Sequence, residues 1–102
     1  MRLVIAILRP AQVEQARQAL AGVQVMRMTI CDAHGYDLTF PDALAQEAVL
    51  EIAVNDDFLD RTLDTLAAVV TAGGDDVRER VRVLPIDDSV QLYRDVRGPE
   101  AI

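Results

Sequence analysis

"RLVIAILRPAQVEQARQALAG", Arg2 to Gly22, changes its period in the middle, and that change decides the fold. Leu3 to Leu8 is an unbroken apolar run, rich in Val and Ile and too short for a helix. It stops at Arg9-Pro10, where proline cannot donate to a ladder but suits a first helical turn. This is a first strand. From residue 11 to 21 the apolar residues fall at Val13, Ala16 and Leu20, with Glu14, Gln15, Arg17 and Gln18 facing away, and Gly22 reads as the stop of a first helix. "VQVMRMTICD", Val23 to Asp32, then alternates with period two, Met26, Met28 and Ile30 against Arg27, Thr29 and Cys31, which predicts a second strand.

The second half repeats the first. "AVLEIAV", Ala48 to Val54, predicts a third strand, and "NDDFLDRTLDTLAAVVTAGG" a helix with Asp56 or Asp57 as cap, a stripe of Leu59, Leu63, Leu66 and Val70, and Gly73-Gly74 as stop. "RVRVLPI", Arg80 to Ile86, alternates as a fourth strand, and Val90 to Tyr93 could add a short one. Laying residue n on n+46 matches Leu8 with Val54, Val13 with Leu59, Glu14 with Asp60, Leu20 with Leu66 and Ala21 with Ala67, a coherent internal duplication. Two strand-helix-strand units predict one α+β domain over residues 1–102, ferredoxin-like βαββαβ, with a four-stranded antiparallel sheet and both helices on one face. That leaves the other face bare. Yet Leu3, Ile5 and Ile7 point one way and Val4, Ala6 and Leu8 the other, and Val49 and Ala53 stand opposite Leu50, Ile52 and Val54, so both faces are apolar and a homo-oligomer is expected.

The 102 residues carry a net charge of -7, which speaks against nucleic acid as a partner, since phosphate contacts need a basic stripe. The basic residues of "VRERVRV", Val77 to Val83, read as the solvated face of a strand. No apolar run approaches the roughly 18 residues of a membrane span, and the start lacks the pattern of a secretory signal, so no direct membrane insertion and a cytoplasmic location are expected. One cysteine forms no internal disulfide.

The residues also carry a resemblance. "MRLVIAILRP", then "QARQALAGV", then "MTICDAHGY", is similar to the opening of PII signalling proteins of the nitrogen regulatory protein family, without a gap from Met1 to Asp37. The match resumes at "VLEIAVNDDFLDRTLDTL", and "GPEAI" resembles the family's ending. The resemblance implies a homotrimer, adenine nucleotide binding in clefts between subunits, and control of a partner protein, such as a membrane transporter or an enzyme, through a long loop between strands two and three (the T-loop). That loop, residues 35–47 here, is shorter by roughly eleven residues and lacks the segment bearing the tyrosine that many members modify.

Carried over position by position, Thr29, Gly35 and Glu51 match residues of the nucleotide site. The phosphate-binding cations do not survive: the loop-base arginine falls on Leu38, the lysine before strand three on Glu47, and the glycine-lysine loop on "AGGDDVRER", which keeps Gly73 and Gly74. Two C-terminal arginines fall on Gln91 and Tyr93, with Arg94 one step out of register. Facing a triphosphate with carboxylates costs roughly 1 kcal/mol per screened contact, so ATP binding is expected to be weak or lost. A smaller effector such as AMP or ADP, held by Thr29 and the amides of the Gly73-Gly74 turn, is one expectation; the other is that the turn only ends a helix. Tyr36, Leu38 and Phe40 are candidate partner-binding residues of the short loop.

The alternative reading is a trimeric metal-tolerance protein of the same fold, with Cys31, Asp32 and His34 as ligands. Against it, alternation puts Cys31 and Asp32 on opposite faces, with Cys31 as a small buried residue. No enzyme is expected: there is one histidine, no hydroxyl has a base at a recognisable spacing, and Asp56-Asp57, Asp75-Asp76 and Asp87-Asp88 fit caps or turns.

Overall fold

The computed structural model describes residues 1–36 and 44–102. Its elements are β1 (Arg2–Leu8), a 3-10 turn at Pro10–Gln12, α1 (Val13–Gly22), β2 (Thr29–Gly35), β3 (Ala45–Val54), α2 (Asp56–Ala72), α3 (Val77–Arg80), β4 (Val81–Pro85), the two-residue strands β5 (Val90–Gln91) and β6 (Val96–Arg97), and a closing 3-10 turn at Gly98–Ala101. The main sheet has the order β2-β3-β1-β4 with every pair antiparallel, and β5 and β6 form a separate hairpin. This is the ferredoxin-like arrangement. Among the described residues no helix is long and apolar enough to cross a membrane.

Alternation divides β1 and β3 between two faces. Val4, Ala6 and Leu8 of β1 and Leu50, Ile52 and Val54 of β3 are buried against Ala16 and Leu20 of α1 and Leu66, Val69 and Val70 of α2. Each fully buried Leu or Ile here stabilises the fold by about 1.5–3 kcal/mol relative to exposure. The repeat at n+46 is visible in this core: Ala16 and Thr62 are both at 0 %, as are Leu20 and Leu66. Thr62 tolerates burial because its hydroxyl donates to the Phe58 carbonyl at 2.7 Å.

Several boundaries differ from the sequence expectation. The left-handed residue that ends α1 is Gln24 (φ 68), not Gly22, and Val25 donates to Leu20 O at 2.9 Å to close the helix. Residues 25–28 therefore carry the chain to the sheet edge, with Val25 buried, and β2 starts only at Thr29. β3 begins at Ala45, so Ala45 to Glu47 belong to the sheet rather than to the connecting loop. Val77–Arg80 is a helical turn capped by the Asp76 carboxylate, which accepts from Arg78 N at 2.9 Å; strand geometry begins at Val81. In the tail, β5 covers only Val90–Gln91 and finds its partner in β6, which alternation had not indicated.

Candidate functional site

The face of the sheet away from the helices is open. Because directly paired residues of an antiparallel sheet share a face, the register builds rows across it. One row runs Thr29, Glu51, Ile5, Arg82 through all four strands. Beside it lie Ala53, Leu3 and Leu84 on one side and Cys31, Val49 and Ile7 on the other. The middle is apolar and half-buried, with Glu51 on the β3 flank and Arg82 on the β4 flank, both exposed.

A cleft of about 340 Å³ opens at one end of this face, with Thr29 and Glu51 facing Ser89, Gln91 and Ala101 of the C-terminal segment. Gln91 is fixed from both sides: its Nε2 donates to Ala101 O at 3.0 Å and its Oε1 accepts from Arg94 Nη1 at 3.1 Å. The hairpin thus holds the closing turn as a wall, and Arg94 stands behind that wall rather than in the cleft. Asn55 Nδ2, donating to Pro99 O at 2.9 Å, anchors the same segment to the end of β3.

A second cleft, of about 390 Å³, lies at the other end of the face, bounded by Ile7, Gly35, Tyr36, Glu47, Glu79 and Arg80. Arg80 and Glu47 are already paired within the chain. Arg80 Nη1 donates to Glu47 Oε1 at 3.0 Å, Arg80 Nη2 lies 3.8 Å from Asp75 Oδ1, and Arg9 Nη2 donates to the same Asp75 oxygen at 3.2 Å. The Arg80, Glu47 and Asp75 side chains are only 25%, 19% and 18% exposed, so the group is partly withdrawn from water. Gly35 leaves room beside it: a Cβ there would sit 2.7 Å from the Glu47 carboxyl carbon and would make that side-chain end shift. Arg9 and Arg80 were absent from the sequence-level candidates. The only hint lay in Glu47 and Asp75, acids at positions where the resemblance expects cation-rich surroundings.

The Gly73-Gly74 turn is a helix terminator in this conformation. Gly73 N donates to the Val69 and Val70 carbonyls, Gly74 N to Thr71 O at 2.9 Å, and Asp75 N to Val70 O at 3.2 Å. Gly74 takes φ +83, the left-handed geometry of a helix end. The expectation that these amides hold a phosphate meets donors that α2 already uses. Next to the turn, the side-chain hydrogen bond from Arg78, reinforced by the Arg78 amide, holds the Asp76 carboxyl below its usual range.

The candidate residues therefore gather at two places rather than one within a subunit: Thr29 and Glu51 at the first cleft, Gly35 and Tyr36 at the second, with Gly73 and Gly74 adjoining it through Asp75. Tyr36 is 60% exposed; Leu38 and Phe40 lie outside the described residues. The alternative metal ligands are separated by strand register. Cys31 pairs with Val49 on the open face, whereas Asp32 pairs with Ala48 and His34 with Gln46 on the helix side. Cys31 is exposed, not buried, because nothing among the described residues covers it on the open face. Among the described residues no three His, Cys, Asp or Glu side chains are grouped to hold a metal ion.

The family model described as nitrogen regulatory protein P-II matches residues 1–95. Nitrogen regulatory protein GlnK1 of Methanosarcina mazei is 27% identical over an alignment of 114 positions covering 100% of this chain and 97% of the relative. Nitrogen regulatory protein P-II of Rhizobium etli is 24% identical with full coverage of both. Both alignments are longer than the 102 residues of this chain, so each relative has positions without a counterpart here. A crystal structure of Arabidopsis thaliana PII bound to citrate superposes with a TM-score of 0.80 at 25% identity, covering 98% of this chain and 87% of that one.

Proposed function

The chain belongs to the nitrogen regulatory protein P-II family, and from that premise we propose that it is a homotrimeric regulator without catalytic activity, controlling a partner protein in answer to a small effector. The effector site is formed between subunits, from the Thr29–Glu51 cleft of one and the Gly35–Arg80 cleft of the next. The connection from Tyr36 to Leu44, bracketed by the last residue of β2 and the first of β3, presents the partner-binding surface, with a transporter or an enzyme as the partner. Tyr36 at one end and Leu44 at the other, about equally exposed, support that role.

The observation that carries the effector reading is the internal pairing of Arg80 and Arg9 with Glu47 and Asp75. A polyphosphate approaching this cleft meets arginines whose charge is already compensated, and to use them it must displace carboxylates that stay close by. AMP and ADP, with fewer negative charges, are disfavoured less, and the Thr29 hydroxyl and Glu51 carboxylate offer hydrogen bonds at the other end. Isothermal titration of the full chain with AMP, ADP, ATP and citrate tests this. AMP or ADP binding at least as tightly as ATP is expected; ATP binding far more tightly than AMP would mean that the internal pairs do not suppress the phosphate site.

A further inference from the structure

We propose that Glu51 and Arg82 form an ion pair between neighbouring copies of this chain, and that this pair sets how the open sheet faces meet. The inference rests on the assembled state of the proposed function and goes beyond it, because it names the contact that fixes the arrangement. Four observations lead to it. Glu51 and Arg82 lie in one row of the open face, separated by Ile5, which pairs directly with both. Both are exposed in the subunit, and among the described residues neither has an ion-pair partner within 4.0 Å, although eight such contacts occur elsewhere. The surface between and beside them is apolar: Leu3, Ile5, Ile7, Val49 and Leu84. The acid and the base occupy opposite flanks of β1.

Covering this apolar surface with another copy withdraws both charges from water, and a buried charge without a partner is strongly destabilising. The two charges cannot satisfy each other across Ile5 without giving up the flat apolar contact. A copy that offers its β4 flank to its neighbour's β3 flank brings Arg82 onto Glu51 and leaves the apolar rows in contact. A copy that offers the same flank meets like with like. A head-to-tail contact of this kind closes into a ring when the rotation allows; a two-fold dimer would also set each Arg82 on the other copy's Glu51, and the ring follows from the trimer of the proposed function. It also delivers an arginine from the next copy to the cleft that holds Thr29 and Glu51.

Charge reversal with native mass spectrometry and sedimentation equilibrium of the full chain tests the pair, with circular dichroism confirming that each variant folds. Arg82→Glu and Glu51→Arg should each weaken association by about tenfold or more, and the double exchange should return it to within about threefold of the parent. Arg17→Glu, exposed on α1 and away from the open face, should leave association within about threefold of the parent. Mixing the two single variants gives a further readout. A three-membered ring cannot alternate two kinds of subunit, so the mixture should recover less association than the double exchange, whereas a two-fold dimer would recover it fully. Single variants that assemble like the parent, or a double exchange no better than either single, would overturn the ion pair while leaving the assembly itself standing. A mixture that forms fully stable dimers would overturn the ring. A parent chain that is monomeric at micromolar concentration would overturn this pair together with the trimeric reading.

Discussion

The two strand-helix units are alike where they face each other's helices and unlike where they face outward. Val4 and Leu50, Ala6 and Ile52, and Ala16 and Thr62 are equivalent at an offset of 46, and all six are at 0 % exposure. The antiparallel pairing of Ile5 with Glu51 falls at the same offset, so the approximate two-fold relating the units passes between these two residues. On the open face that equivalence joins an isoleucine to a glutamate. Shared core and divergent exterior fit what each side would require: the helix face must be filled in both units, whereas under the proposed pairing the open face would need one acid and one base, not two of either.

Truncating the core should strike the two units equally and hardest. Leu20→Ala and Leu66→Ala, equivalent and both fully buried, should each cost about 2–5 kcal/mol in urea unfolding; a large disparity would mean that one helix is docked less firmly than its repeat. Making the open face alike should do something different. Ile5→Glu removes no buried core atom on the helix side, so the subunit should stay folded while association falls by about a hundredfold, read by sedimentation. Retention of assembly would show that the divergence of residues 5 and 51 is incidental.

Smaller effects separate the ends of the units. Glu47→Gln frees half of the Arg80 pairing and should raise ATP affinity by about tenfold in calorimetry, without a matching gain for AMP. The two helix ends both use a left-handed residue, Gln24 at φ 68 and Gly74 at φ +83. Gln24→Gly should therefore stabilise by about 0.5–1 kcal/mol and Gly74→Ala destabilise by about 1 kcal/mol, read as opposite shifts of the thermal midpoint. Only the second unit continues into a capped turn, α3. The Asp76 carboxyl is depressed from its ordinary 3.8 by Arg78, so the stabilisation it gives is complete above that value and is lost as pH falls through the lower folded value. Asp76→Asn should flatten the acid side of the stability profile over that window and leave neutral pH nearly unaffected in slope; an unchanged acid limb would remove Asp76 from the account.

The units were legible because their signal is local and doubled: an unbroken run of six apolar residues in β1, then a stripe at Ala16 and Leu20, met again at Leu50, Ile52 and Leu66. Residues 23–28 misled because an alternating run can also be a connection, and nothing in Gln24 announces a left-handed turn that glycine would normally take. "VRER" misled for a related reason, since four residues are too few to tell alternation from one helical turn, and the cap that decides it, Asp76, lies outside the run. The candidate site was half legible. Thr29 and Glu51 fall opposite each other once the strands pair, but the arginines at 9 and 80 and the acids at 47 and 75 meet only through the tertiary fold, across sequence separations no periodicity spans.

The row from Thr29 to Arg82 also bears on which chains can share a ring. A related subunit with uncharged residues at the positions of Glu51 and Arg82 would leave one Glu51 and one Arg82 buried without a partner in any mixed ring. The same two side chains that favour self-association would then act against mingling with such relatives. Subunit identity would be guarded at the interface itself, so an effector bound in a cleft would be read by three copies of one chain.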